Sequence, residues 1–103
     1  MAPLFLDPGL LRRRASLQVA DLVSNGSGGM TATWREVAEL SVRTAERFDQ
    51  GQATVTHRVI CRARSDVDRG SRFVLGSRRL AILSVHDPDD SGRYLVCRCR
   101  EEV

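Results

Sequence analysis

The chain has 103 residues and a formal charge of +3, from 16 basic and 13 acidic side chains, and every basic side chain is an arginine. This length predicts one domain, whose core is too small to hold a deep, dry active site. No apolar run approaches the roughly 20 residues that cross a bilayer as a helix, and a charged fraction of 28% is ordinary for a globular protein. We therefore exclude a helical membrane protein and a wholly disordered chain, and we predict no membrane partner.

The first 14 residues predict an extended N-terminal arm. Pro3 and the pair Pro8-Gly9 interrupt any regular element. The arm nevertheless carries five apolar side chains: Leu4, Phe5, Leu6, Leu10 and Leu11. A solvated tail would not hold so many, so they predict contacts either with the core of the same domain or with a neighbouring subunit. Because the basic cluster follows the apolar stretch instead of preceding it, the segment is not interpreted as a signal peptide. We therefore expect synthesis in a reducing cytoplasm, where the three cysteines are free thiols.

Residues 15–103 predict a single, mainly β domain. The strand-like residues 17–23 are followed by a glycine-rich hairpin turn at 24–29. From residue 31 to residue 48 a helical stripe competes with the alternation of a strand, so the residues alone leave this segment open.

In the second half of the chain, apolar and polar side chains alternate clearly, as they do along a β-strand. Residues 55–64 place small apolar side chains on one face and basic side chains on the other. Three further short strands are predicted at 72–75, 80–85 and 94–100. In the last strand, Leu95, Cys97 and Cys99 are expected to face inward and Tyr94, Val96, Arg98 and Arg100 outward. Short strands at this spacing predict a small antiparallel barrel or sandwich.

Residues that could carry catalysis do not converge at any point of the sequence. The glycine-rich segment 26–31 lacks both the lysine of a phosphate-binding loop and the third glycine of the dinucleotide fingerprint. Ser84, His86 and Asp87 are close neighbours in a predicted strand, where side chains alternate between faces, so they do not predict a hydrolase triad. We predict no catalytic residue, no cofactor and no enzymatic activity.

Two segments superficially resemble metal sites. Residues 87–92 match the first half of a calcium loop, but Arg98 stands where that loop needs a bidentate carboxylate, so a hairpin turn is favoured. Cys97 and Cys99 share a strand face that Cys61 could join, yet no cysteine pair has the spacing of a zinc knuckle. Buried apolar thiols are the favoured interpretation, and no metal is predicted.

The arginines are the remaining physical lead. Arg58, Arg62 and Arg64 share one strand face, and Arg98 and Arg100 share another. If the two strands are adjacent, five guanidinium groups lie on one outward surface. This surface is either a solvated face paired with some of the 13 acids or an interface with an acidic partner or with DNA phosphates.

Four segments, taken in order, resemble the head–tail joining proteins of long-tailed bacteriophages, which are also called head-closure or stopper proteins. The segments are the glycine-rich turn followed by Trp34, residues 54–62, residues 76–85 followed by Asp87-Pro88-Asp89, and residues 95–101. Components of phage-derived gene transfer particles are similar. The resemblance covers roughly residues 15–102.

This resemblance implies a small antiparallel β-barrel with a long, partly helical excursion between its second and third strands. It also implies a strand through Trp34 as far as about Val42. The excursion would occupy about residues 44–53 and act as a channel loop that helps to retain packaged DNA. Its candidate residues are Glu46, Arg47, Asp49 and Gly51.

The implied function is that of a structural head–tail connector subunit. Several copies would form a homo-oligomeric ring that continues the DNA channel, with a portal-bound adaptor protein above and tail terminator or tail tube proteins below. Double-stranded DNA would pass without sequence specificity. The location would be a virion or gene-transfer particle assembled in the bacterial cytoplasm. The alternative from the residues is a small basic nucleic-acid-binding barrel, although three Phe, one Tyr and one Trp provide few stacking rings.

Overall fold

The structure, a computed structural model, describes residues 11–46 and 55–102. In these residues the chain forms six antiparallel strands and no helix, so the prediction of a mainly β fold is confirmed. The strands are β1 (Arg13–Ser24), β2 (Met30–Glu46), β3 (His57–Arg62), β4 (Arg72–Leu75), β5 (Arg78–His86) and β6 (Tyr94–Glu102).

The six strands close into a barrel in the order β1, β2, β3, β6, β5, β4. Closure depends on a short ladder in which Ser16–Gln18 of β1 pair with Arg72–Val74 of β4. The connection between β4 and β5 is the two-residue turn Gly76-Ser77, and Gly76 has a φ of 62°. Only a residue without a Cβ adopts that backbone cheaply, and a first turn residue of this kind matches the twist of a tight hairpin.

The core is a single cluster inside the barrel. Its largest fully buried side chains come from all six strands: Leu17, Val42, Val59, Cys61, Phe73, Leu80, Ile82, Cys97 and Cys99. Val67, from the connection between β3 and β4, joins them and is 4% exposed. A six-stranded barrel has a narrow interior, and this core cluster occupies it.

The hairpin of β1 and β2 is longer than the barrel. The ladder of β1 with β4 ends at Gln18, and the ladder of β2 with β3 begins at Val42. Residues 19–35 therefore extend as a two-stranded segment, which we call the projecting ribbon. A register shift between Leu17 and Gln18 marks the point where the ribbon leaves the barrel. Such a bulge adds local bending and twist to a strand pair.

The competition between helix and strand around Trp34 is resolved in favour of a strand. β2 runs without interruption from Met30 to Glu46, four residues beyond the predicted limit at Val42. The predicted channel loop was expected to begin at residue 44, but residues 44–46 continue the ladder with β3. The remainder of the predicted excursion, including its helical part, lies outside the described residues.

The structure differs from the predictions at the end of the N-terminal arm and on the outer face of β6. β1 begins at Arg13, within the 14 residues predicted as an arm, and Leu11 is buried at 7% exposure. Leu4, Phe5, Leu6 and Leu10 lie outside the described residues. On β6, Cys97 and Cys99 are buried as predicted, but Tyr94 and Val96 are also buried although they were expected to be exposed. The outer surface of β6 is therefore apolar near its start and basic further along.

Candidate functional site: a basic outer face

The predicted adjacency of the two arginine-bearing strands is present in the barrel. β3 pairs with β6 over its whole length, and Arg58 lies directly opposite Arg98. Arg62 lies two side-chain repeats along β3 on the same outer side, and Arg100 lies one repeat along β6. Like charges directly opposite each other on a sheet destabilise it unless an anion compensates them. This pairing therefore brings two guanidinium groups together on the outer surface of the barrel.

A fifth arginine completes this surface and was not predicted. Arg43 is exposed on β2 and pairs with Ile60, which lies between Arg58 and Arg62. The sequence signal was the alternation that follows buried Val42, but it was discounted because the strand was expected to end there. We define the basic face as Arg43, Arg58, Arg62, Arg98 and Arg100.

Arg64 does not belong to the basic face, contrary to the prediction. It lies beyond the end of β3, where its Nε and Nη2 atoms donate hydrogen bonds of 2.8 and 2.9 Å to the two carboxylate oxygens of Asp66. The Arg64 guanidinium lowers the pKa of Asp66 through this fork of hydrogen bonds. The pair uses two of the five Arg64 N–H donors and balances its charge locally, so this arginine attracts an external anion less than an unpaired one does.

Most members of the basic face lack such a partner. In residues 11–46 and 55–102, Arg43, Arg58, Arg62 and Arg100 form no ion pair, and all four are exposed. Five arginines elsewhere do form ion pairs with carboxylates: Arg14, Arg35, Arg64, Arg72 and Arg78. Other arginines of the described residues also form no ion pair, namely Arg13, Arg69, Arg79 and Arg93, but the four of the basic face are grouped on the adjacent strands β2, β3 and β6.

The single tryptophan is occupied within the chain. The Arg72 guanidinium lies 3.9 Å from the centre of the Trp34 ring and also donates a 2.8 Å hydrogen bond from Nε to Gln18 Oε1. Its Nη1 is 3.6 Å from a carboxylate oxygen of Glu102. This stack fixes the base of the projecting ribbon against β4 and β6. Trp34 is consequently not a free platform on which a nucleic-acid base could stack.

A second polar cluster lies at the end of the barrel where β2 ends and β3 begins. Arg78 donates hydrogen bonds of 2.8 Å to both carboxylate oxygens of Glu101 and one of 3.1 Å to Nε2 of buried His57. Because a guanidinium only donates, His57 Nε2 accepts, and Nδ1 carries the proton that reaches Thr56 Oγ1 at 3.0 Å. Arg78 lowers the pKa of Glu101. Glu46 lies 3.6 Å from Arg78.

Of the predicted channel-loop residues, the structure therefore locates Glu46 beside this cluster. Arg47, Asp49 and Gly51 lie outside the described residues. Glu46 and His57 are register partners at the end of the β2–β3 ladder, so the segment that connects them leaves and re-enters the barrel at adjoining points.

The three thiols are part of the core. Cys61, Cys97 and Cys99 are free and buried. A hydrogen bond shared with Cys61, together with burial, raises the pKa of Cys97, and burial raises the pKa of Cys99 to about 12. In the described part of the chain, no group of three or more His, Cys, Asp or Glu side chains is placed to hold a metal ion. The favoured interpretation as buried apolar thiols is confirmed.

The calcium-like segment forms the turn between β5 and β6. Asp87 accepts hydrogen bonds from the backbone N–H groups of Asp89, at 3.2 Å, and Gly92, at 2.7 Å. Asp89 accepts another from the N–H of Ser91, at 3.1 Å. These carboxylates organise the loop backbone, so the hairpin interpretation is confirmed.

Within the described ranges, no helix long and apolar enough to span a membrane is found.

The fold and this surface define a class, namely a small closed antiparallel β-barrel whose main surface feature is cationic. The model of the phage head completion protein family matches residues 6–102, and the chain belongs to that family. Membership makes it a structural head-completion protein of a virion or gene-transfer particle. The predicted resemblance to this group of proteins is confirmed.

Two solved structures are similar. One is a chain in the virion of a native gene transfer agent particle, with 29% identity and a TM-score of 0.69 over 89% of this chain and 94% of that one. The other is the solution structure of protein SF1141 from Shigella flexneri 2a, with 23% identity and a TM-score of 0.72 over 95% of this chain and 98% of that one. At that identity the second match shows a shared fold. No curated protein matches the chain.

Proposed function

We propose that the chain is a head–tail connector subunit, with several copies in a homo-oligomeric ring that continues the DNA channel. A portal-bound adaptor protein would lie above the ring, and tail terminator or tail tube proteins would lie below it. The proposal rests on family membership and on the match to a chain of a gene transfer agent virion. The ring would help to retain packaged DNA and would present the surface to which the tail attaches.

The single observation that carries the proposal is the basic face. Arg43, Arg58, Arg62 and Arg100 lie exposed and without ion pairs on three adjacent strands, while five other arginines of the described residues are paired with carboxylates. A surface of this kind favours a polyanion or an acidic protein surface as its partner. We assign it to the phosphates of double-stranded DNA in the channel, because guanidinium groups contact phosphates without reading sequence.

The predicted channel loop and arm remain parts of this proposal. Glu46 is held near Arg78 at the barrel end, which supports a channel loop that starts from a fixed point after residue 46, at the end of β2, rather than at residue 44. Arg47, Asp49 and Gly51 would belong to that loop. The arm residues Leu4, Phe5, Leu6 and Leu10 would contact a neighbouring subunit or ring, whereas Leu11 is buried within its own chain. The domain boundaries proposed are 1–14 for the arm and 15–103 for the barrel.

DNA retention by the basic face is tested with a matched pair of arginines two residues apart. Arg62→Gln removes an arginine of the basic face, and Arg64→Gln removes one that is paired with Asp66. We expect the slope of log affinity against log salt, measured with double-stranded DNA on the assembled ring, to fall by about 1 for Arg62→Gln. The double variant Arg58→Gln/Arg62→Gln should lower it by about 2, and Arg64→Gln should leave it unchanged.

Equal slopes for Arg62→Gln and Arg64→Gln would remove the assignment to DNA. If Arg58→Gln/Arg62→Gln instead prevents ring formation while DNA binding by the wild type is independent of salt, the basic face is an interface with an acidic neighbour. Ring formation itself is measured by mass photometry and electron microscopy without DNA. An isolated chain that stays monomeric and binds DNA tightly would favour the alternative of a nucleic-acid-binding module.

A further inference from the structure

The exposed large hydrophobic side chains of the described residues are concentrated in one place. They are Leu22, Val23 and Met30, which are 66%, 52% and 61% exposed, and all lie near the tip of the projecting ribbon. Single exposed apolar residues need no explanation, but a cluster on a protruding element indicates a surface that meets another molecule. A two-stranded hairpin is also marginal in water unless something packs against it.

Apolar side chains occupy both faces of this tip. Leu22 pairs with Ala32 and Ser24 pairs with Met30, so Leu22 and Met30 share one face. Val23, which pairs with Thr31, points to the opposite face. Residues 22–32 contain no charged side chain. A tip that is apolar on both sides fits into a slot rather than onto a flat surface.

The end of the tip is already folded in the free chain. The Asn25 side-chain oxygen accepts hydrogen bonds from the backbone N–H groups of Ser27, at 2.9 Å, and Gly29, at 3.2 Å. A Cβ on Gly29 would lie 2.8 Å from Asn25 Nδ2, so a larger residue would displace this cap. A preformed loop loses little conformational entropy on docking, which favours binding as a rigid plug.

Area argues against a second copy of the chain as the partner. The face that carries Leu22 and Met30 is two strands wide and about three cross-strand pairs long, or roughly 10 by 10 Å from strand spacing and rise. A stable interface needs about 800 Å² on each partner, so two ribbons laid face to face bury too little. The barrel offers no other exposed large hydrophobic side chain within residues 11–46 and 55–102.

The ion pair nearest to the tip limits how much of the projecting ribbon can insert into a slot. Arg35 Nε donates a 2.9 Å hydrogen bond to Asp21 immediately below the tip, and this ion pair is half exposed. Carrying an ion pair into an apolar slot costs desolvation that its own attraction does not recover. The inserted part therefore ends above this pair, and the partner's slot is expected to be apolar and uncharged.

We propose that residues 22–32 are a plug that inserts into an apolar, uncharged slot on a different protein of the particle. This inference deepens the proposed function and rests on it, because it requires that the chain joins other particle proteins. The plug provides a contact that the basic face cannot provide, since an arginine surface does not match an apolar partner.

The test uses a photo-crosslinking residue, p-benzoylphenylalanine, introduced singly at Leu22, at Val23 or at exposed Arg69 in purified particles. We expect the residues at 22 and 23 to crosslink to the same second protein, identified by mass spectrometry, and the residue at 69 not to do so. Crosslinks to another copy of this chain would overturn the choice of partner. Crosslinks from position 22 alone, or from neither position, would overturn the slot.

A pair of variants separates this inference from the proposed function. Leu22→Ser/Met30→Ser should form rings as the wild type does, yet its incorporation into particles should drop at least about tenfold, since two anchoring side chains are lost. Thr31→Ser is the control and should be incorporated normally. If the wild type itself forms no ring, the proposed function fails. If rings form and the double variant is incorporated normally, the plug alone is refuted.

Discussion

The same two strands, β1 and β2, build two regions with opposite properties. In the barrel, Ala15, Leu17 and Val42 are at most 1% exposed, whereas Leu22, Val23 and Met30 on the projecting ribbon are more than half exposed. Both regions alternate, and both have apolar side chains on at least one face. The difference is whether a third strand lies beside the hairpin, because β4 covers β1 only as far as Gln18. Burial here is set by neighbours that are distant in sequence.

The largest expected effect comes from a matched pair of leucines in β1. Leu17 is fully buried and Leu22 is 66% exposed. Leu17→Ala should lower the free energy of unfolding by about 2–5 kcal/mol, because it leaves a cavity in the core. Leu22→Ala should change it by less than about 0.5 kcal/mol. Urea titration followed by circular dichroism measures both, and equal losses would contradict the division between barrel and ribbon.

The next effect concerns the cluster that holds the barrel end. Arg78→Met removes the bidentate partner of Glu101 and leaves His57 Nε2 without its donor, so the variant should be less stable at neutral pH. The pKa of Glu101 is lowered by Arg78, so this stabilisation is present above the ordinary value of 4.5 and is lost as the pH falls through the lower folded value.

The difference in melting temperature between wild type and Arg78→Met should therefore shrink as the pH falls below 4.5, the ordinary pKa of a glutamate side chain. Arg69→Met, which removes an exposed arginine that forms no ion pair in the described residues, is the control and should melt as the wild type does. A constant difference over the whole pH range would show that Glu101 does not contribute.

The reaction rates of thiol groups offer a further comparison between the barrel and the projecting ribbon. The pKa of Cys99 is raised to about 12 by burial, and all three thiols are inside the barrel, so none should react with a disulfide reagent at pH 8 unless the barrel unfolds. In Leu22→Cys, the one introduced thiol per chain, at the ribbon tip, should react at once with the reagent. Fast reaction of the wild-type chain under native conditions would mean that the barrel opens readily.

The smallest effect is expected from the ribbon's own ion pair. Asp21→Asn removes the partner of Arg35, but both side chains are about half exposed and water screens the pair. The melting temperature should not change measurably by calorimetry. A clear loss of stability would indicate that the ribbon and barrel unfold as one cooperative unit.

The sequence predicted the class of fold because turns and alternation are local properties. The turns at Asn25–Gly29 and Gly76-Ser77, and the strand at Arg72–Leu75, occur where their residues indicated. The strand through Trp34 could not be chosen from periodicity, since helical and alternating stripes both fit it, and the family resemblance was needed. The full extent of β2 was missed because nothing local marks where pairing with β3 ends.

The candidate site was also predictable in part, because the alternation of side chains along a strand is a local property of the sequence. Arg58, Arg62, Arg98 and Arg100 follow from alternation once the two strands are adjacent, and adjacency itself is a property of the closed barrel. Arg43 depended on the missed end of β2. Arg64 was predicted on the same strand face, but it lies beyond the end of β3, and its short-range ion pair with Asp66 leaves no trace in an alternating pattern.

The register pairing of Glu46 with His57 has a consequence for how this family can vary. Ten residues separate Glu46 from His57, which are partners at the end of one ladder, and Arg78 contacts both. When a chain is held at two neighbouring points, each doubling of the length of the connection costs only about 0.6 kcal/mol. Insertions and substitutions at this position should therefore be tolerated without disturbing the barrel, which allows the loop to be exchanged between relatives as a separate module.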